Sequence, residues 1–171
     1  ALAFDVTSHY DSAIFNYFNR EFQIPSYKKS IQQGRTLRYG ENPHQKGVFY
    51  GDLDGLFDQL HGKELSYNNL VDVDAAINLV AEFGGETAFV IIKHTNACGV
   101  ATGASVKDAY VKAFQADTIS AFGGVLATNN AVHLEAAEEM NKLFFEILVA
   151  PSYSEEALKI LRSKKNRMLL L

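Results

Sequence analysis

Apolar residues along this chain follow two rhythms, a helical spacing and short unbroken runs, and the two alternate. From Phe4 to Phe22, the spacing of Tyr10, Ile14, Tyr17 and Phe18 traces one face of a helix. Residues 23–36 turn polar around Pro25, Lys28-Lys29 and Gly34, which predicts a connector. The turn-rich segment Leu37-Arg-Tyr-Gly-Glu-Asn-Pro-His-Gln45 leads to a short strand at Val48 to Tyr50, then a loop marked by Gly51, Asp52, Asp54 and Gly55. Asn69 is expected to N-cap a helix, with Asp72 near its start, where a carboxylate suits the helix dipole. Leu70, Val73, Ile77 and Val80 line the apolar face of that helix, and Gly84-Gly85 stop it.

Five consecutive apolar residues, Ala88 to Ile92, predict a strand buried on both faces. It runs straight into Lys93, His94 and a polar loop reaching Gly99. Ser105 is the expected cap of a helix that buries Val106, Ala109, Tyr110, Ala113 and Phe114. Gly123-Gly124 form a turn into a strand through Ala127, and Leu134, Ala137 and Phe144 mark a third helix. Ile147 to Ala150 is a strand closed by Pro151. Ser152 or Ser154 then caps a helix carrying Ala157, Leu158 and Leu161, and a last strand starts near Met168. Helices alternating with buried strands predict an α/β fold, a three-layer αβα sandwich.

Composition narrows the possibilities. A 171-residue chain with 47% hydrophobic and 21% charged residues is long and apolar enough for a real core. The net charge of −4 argues against nucleic acid as a partner, and the basic run Arg162 to Arg167 reads as a solvated helix end. A single cysteine, Cys98, allows no internal disulfide, which fits a cytoplasmic setting. No apolar run approaches the ~20 residues that span a bilayer, and no signal peptide is visible. The start without Met and the end in Met168-Leu-Leu-Leu171 suggest a piece of a larger protein.

Familiar phosphate loops, dinucleotide fingerprints and zinc spacings are missing from the sequence. Four features remain. Lys93-His94 place a fixed cation and a base at a rigid strand end, where ligands of open α/β sheets gather. That pair suits a weak nucleophile that loses a proton while an oxyanion develops nearby. Its structural alternative has Lys93 snorkelling and His94 capping a neighbouring helix. Arg38-Tyr39 join a forked cation to an aromatic plane, suited to a phosphate and a flat base. Gly123 lets the backbone approach a ligand closely, and Glu146 can accept hydrogen bonds from a ribose or an amine. His44 reads as structural. Together these describe a site for a phosphorylated, nitrogen-containing planar molecule. A nucleophilic Cys98 served by His94 and Lys93 would instead make a hydrolase, although a small buried thiol is its simpler role.

Five blocks in order, Leu37 to Gln45, Leu65-Ser-Tyr-Asn-Asn-Leu70, Ile92-Lys-His-Thr-Asn-Ala-Cys-Gly99, Ser120-Ala-Phe-Gly-Gly124 and Ala150 to Leu158, resemble the bifunctional AICAR transformylase/IMP cyclohydrolase family of purine synthesis. The resemblance implies a zinc-free, cytidine-deaminase-like fold. It implies that residues 1–22 end a preceding cyclohydrolase domain, that 23–36 connect, and that 37–171 form the first subdomain of the transformylase. The implied reaction moves a formyl group from 10-formyltetrahydrofolate, a co-substrate, to the 5-amino group of AICAR. His94 would be the general base and Lys93 the oxyanion stabiliser. Arg38, Tyr39, Gly123 and Glu146 would hold AICAR, with Asn96, His44 and Asn69 as further site residues. A homodimer, no metal and no membrane are also implied, and the folate contacts would lie mostly outside this chain. Ala97 stands where the family usually has proline, and some members have Asp at position 146. A non-catalytic nucleotide-binding module of the same fold is the alternative.

Overall fold

The apolar run ending in Lys93 lies inside a six-stranded mixed sheet, with helices against both of its faces. The computed structural model describes residues 1–171. Its elements, in order, are α1 (Leu2–Phe22), β1 (Gly34–Thr36), β2 (Val48–Tyr50), β3 (Gln59–His61), α2 (Tyr67–Ala81), β4 (Ala88–Lys93), β5 (Asn96–Thr102), α3 (Val106–Ala116), β6 (Val125–Thr128), α4 (Leu134–Met140), β7 (Ile147–Val149), α5 (Glu155–Leu161) and β8 (Met168–Leu170). The sheet order is β3-β8-β7-β6-β4-β5, while β1 and β2 form a separate antiparallel pair. Strands β6, β7 and β8 run parallel, and β4 runs antiparallel to β6 on one side and β5 on the other.

Side-chain alternation along β4 splits the core in two. Phe89 and Ile91 pack with Ala109, Tyr110 and Ala113 of α3, Ala136 and Met140 of α4, and Ala157 and Leu161 of α5. Ala88, Val90 and Ile92 face the other way, against Val73, Ala76 and Val80 of α2. A strand with its first five residues completely covered is what the unbroken apolar run requires. No helix is long and apolar enough to cross a membrane.

Several expectations change. The polar stretch after His94 is the edge strand β5, joined to β4 by a two-residue turn. Its small residues hid it, and they are there because α3 lies directly above. A Cβ on Gly99 would collide with the Ala113 carbonyl oxygen. The cap of α2 is Ser66 rather than Asn69, which occupies the third helical position and completes a capping box. Helix α4 ends at Met140, so Phe144 is left outside it and exposed. Strand β1 forms within the expected connector, and β3 has only Leu60 between two polar residues, which gives it no strand signature. Ser154, not Ser152, caps α5.

Burial adds one finding and one correction. Helix α1 forms but buries none of its residues. In the basic run, Arg162 to Asn166 are exposed as expected, but Arg167 is 3% exposed. Its guanidinium lies 4.1 Å from the Phe145 ring centre and donates to Asn141 Oδ1 (2.9 Å) and the Leu161 carbonyl (3.2 Å). Burial pulls its pKa down to about 10.

Candidate active site at the β4–β5 turn

The turn between β4 and β5 consists of His94 and Thr95, with φ of +51° and +62°. Positive φ at both central positions is the conformation that matches a hairpin's twist, and it is usually filled by Asn-Gly. Here a histidine and a β-branched residue take it, at a backbone strain of order 1–3 kcal/mol each. Three hydrogen bonds hold the turn. Thr95 N–H donates to Asp72 Oδ1 (2.7 Å), Thr95 Oγ1 donates to the His94 carbonyl (2.6 Å), and Asn96 Nδ2 donates to the same carbonyl (2.8 Å). Immediately beyond, the ladder slips between Ile91 and Ile92, leaving Cys98 as the extra residue of a bulge. Ala97 therefore lies in an edge strand rather than in a free loop.

Because β4 is antiparallel to β6, its carboxyl end meets the amino ends of the parallel strands. Strand β3, antiparallel to β8, also ends here, so this end of the sheet gathers the carboxyl ends of β3 and β4 and the amino ends of β6, β7 and β8. Gly123 and Glu146 lie just ahead of β6 and β7, and both come to the same end of the sheet as Lys93 and His94. These four line a cleft of about 390 Å³ together with Tyr39, Ser66, Asn68, Asn69, Asp72, Phe122, Val125 and Phe144. That size suits a small ligand of nucleotide dimensions.

Lys93 is half-buried, and its Nζ donates to the Phe122 carbonyl at 2.9 Å. It belongs to none of the chain's five ion pairs, so a full positive charge faces the cleft without a carboxylate against it. The charge is felt nearby, where it helps hold the Asp117 carboxyl below its usual range after the dominant Ser120 hydrogen bonds. His94 is exposed on the cleft and caps no helix. Burial pushes the Cys98 thiol up, with Asp117 adding to the effect, and Cys98 does not line the cleft.

Glu146 is held from two sides. Asn69 Nδ2 donates to its Oε2 at 3.2 Å, and Lys63 Nζ lies 3.6 Å from the same oxygen. Asn69 therefore links the α2 cap to the cleft, since its Oδ1 also accepts from Ser66 N–H and Oγ–H. Gly123 has φ +74°, and an added Cβ would only touch Phe144 at 3.7 Å. Its requirement is conformational; the crowded glycine is Gly124, whose Cβ would press the Ile92 carbonyl oxygen at 3.0 Å.

The remaining expected residues lie around this centre. Arg38 Nη2 donates to Tyr39 Oη (2.9 Å), and its guanidinium carbon lies 4.6 Å from the Tyr39 ring centre. Arg38 lines an adjoining cleft of about 90 Å³ rather than the main one. Asn96 closes the turn without lining the cleft, and His44 is exposed in the 41–45 turn and is not brought to it. Four participants escaped the sequence reading: Asp72, Lys63, Phe122 and Phe144. The two phenylalanines are exposed, with ring centres 5.1 Å apart, an apolar wall suited to a flat ring. The one signal in the sequence was Phe122 standing beside Gly123 in the Ser120–Gly124 block. No group of three or more His, Cys, Asp or Glu is placed to hold a metal ion.

Comparison with known proteins gives consistent matches across the chain. The bifunctional purine biosynthesis protein PurH of Bacteroides thetaiotaomicron is 54% identical over 169 residues, covering 99% of this chain and 33% of that protein. PurH of Acetivibrio thermocellus is 45% identical over 177 residues (98% and 34%), and PurH of Aquifex aeolicus 45% over 173 residues (96% and 34%). The chain thus spans about a third of the length of these curated relatives. Among solved structures, Acinetobacter baumannii RibD (form 1) aligns with a TM-score of 0.42 and 16% identity over 55% of this chain and 33% of that one, too partial to bear on the fold. The family model described as the AICARFT/IMPCHase bienzyme matches residues 1–171, and the chain belongs to that family.

Proposed function

We propose that this chain supplies the AICAR-binding and proton-transfer part of a formyltransferase site in purine biosynthesis. The observation that carries the reading is one cleft. Tyr39, Asn69, Lys93, His94, Gly123 and Glu146, from separate stretches of sequence, line the same 390 Å³. Arg38, stacked on Tyr39, is the cation for the ribotide phosphate, and the exposed Phe122–Phe144 pair offers a face to the imidazole ring. Glu146, already steered by Asn69 and Lys63, accepts hydrogen bonds from the carboxamide or ribose.

The chemistry follows from the acceptor's weakness. The 5-amino group of AICAR is conjugated with the ring and carboxamide, so it attacks the formyl carbon of 10-formyltetrahydrofolate only as its proton leaves. His94 takes that proton. The oxygen of the tetrahedral adduct becomes negative, and the unpaired Lys93 ammonium stabilises it. As the adduct collapses, the bond to N10 breaks and His94 returns the proton to N10. Formyl-AICAR and tetrahydrofolate are the products, and atoms balance without an oxidant or a metal.

Within this reading, residues 37–171 are the first subdomain of the transformylase, with a cytidine-deaminase-like arrangement, and 1–22 belong to the cyclohydrolase side. Folate contacts and the second half of the site come from other parts of a homodimeric bienzyme. The test is calorimetric titration of AICAR into the full-length protein without folate. Arg38→Ala and Glu146→Ala should each weaken binding by about tenfold or more. Wild-type affinity in both variants would remove the proposed AICAR site.

A further inference from the structure

Helix α2 reaches the catalytic turn through one side chain. Asp72 is the sixth residue of α2, beyond the first turn in which a carboxylate serves the helix dipole. Its Oδ1 instead accepts the Thr95 N–H at 2.7 Å. The other two bonds of the turn run between Thr95, Asn96 and the His94 carbonyl, and so travel with the turn wherever it goes. Only Asp72 ties it to another element. The ladder pairs Lys93 with Asn96 and Ile92 with Ala97 before its register slips at Ile91–Ile92, and so holds the turn only to its own hairpin. Consecutive left-handed, non-glycine residues persist only where their surroundings over-determine them. Asn69, three residues before Asp72 on the same helix, reaches Glu146. One helix therefore references both walls of the cleft.

We propose that Asp72 is a positioning residue for the Lys93-His94 site: its carboxylate oxygen anchors the Thr95 amide and so fixes the turn that presents His94 to the cleft. The inference rests on the formyl-transfer reading for its effect on turnover, but not for the contact itself. Asparagine at this position keeps the acceptor oxygen and removes the charge, which separates anchoring from electrostatics.

The test compares Asp72→Ala and Asp72→Asn in the full-length protein, with amide hydrogen exchange at Thr95 read alongside kinetics. Asp72→Ala should lower kcat by about tenfold to a hundredfold, a larger factor than any loss of AICAR affinity. It should also speed Thr95 exchange. Asp72→Asn should restore kcat to within about threefold of wild type and restore Thr95 protection. Wild-type kcat in Asp72→Ala while His94→Ala is inactive would overturn the proposal, as would equal losses in Asp72→Ala and Asp72→Asn. If His94→Ala itself keeps full turnover, the formyl-transfer reading fails instead. The exchange result then decides the anchor: faster exchange in Asp72→Ala alone supports it, and unchanged exchange overturns it.

Discussion

The two ends of the sheet are built on opposite principles. At the end where β4 begins and β6 finishes, polar groups are answered locally. Asn129 Oδ1 accepts from Ala88 N–H (2.9 Å), and its Nδ2 donates to the Phe83 (3.1 Å) and Glu86 (2.8 Å) carbonyls. Thr128 Oγ1 donates to the Ala88 carbonyl, and the Tyr153 hydroxyl lies 2.9 Å from the carbonyls of both Leu148 and Leu170. At the other end Lys93 lacks a carboxylate, two residues sit in left-handed conformations, and two phenylalanines are exposed. The same strand, β4, connects them. Satisfied groups at one end give stability, and unspent interactions at the other are available to a ligand.

That contrast can be broken by substitutions at either end, and the largest effect on folding belongs to Asn129. Asn129→Ala strips three backbone groups of their partner, the part-buried Ala88 N–H among them, and should destabilise by about 1–2 kcal/mol in urea unfolding, with AICAR affinity unchanged. A matching loss of affinity would show that the ends are not independent. Tyr153→Phe should cost about 1 kcal/mol. It should also flatten the alkaline limb of the stability profile. Burial holds the Tyr153 phenol above its ordinary range and Tyr110 at about 12. Both neutral phenols therefore stabilise fully below about pH 10, and the contribution declines as pH rises above about 10, that of Tyr110 being lost through about 12 and that of Tyr153 still falling there. Chemical denaturation across that window reads the slope. The smallest effect has the opposite sign. Thr95→Gly relieves a left-handed β-branched residue and should raise stability by about 0.5–1 kcal/mol while lowering turnover. A destabilised Thr95→Gly protein would contradict strain at the turn.

Much of the scaffold was legible because its signals are local. The covered run of β4, the Ser105 cap of α3 and the glycine turn before β6 are each read from adjacent residues. Strand β5 was not, because α3 demands small residues there and small residues carry no strand signature. Helix α1 shows the converse limit: periodicity marks a face without saying what covers it. In the site, the expected Tyr39, Asn69, Lys93, His94, Gly123 and Glu146 share the cleft. Asp72 and Lys63 were invisible as participants because each acts on a residue distant in sequence, Thr95 and Glu146. Arg167 read as solvated because neighbouring charges suggested it, whereas Phe145 and Asn141 enclose it.

The central claim is that Lys93 and His94 perform chemistry at an end of the sheet that stability does not need. Single-turnover formylation of AICAR by the full-length protein, with folate and AICAR saturating, tests it most directly when each residue is replaced by alanine and unfolding is measured in parallel. The account predicts a loss of about 10²–10⁴-fold in rate for His94→Ala and at least about tenfold for Lys93→Ala, with unfolding midpoints close to wild type. Near-normal rates in either variant would contradict it.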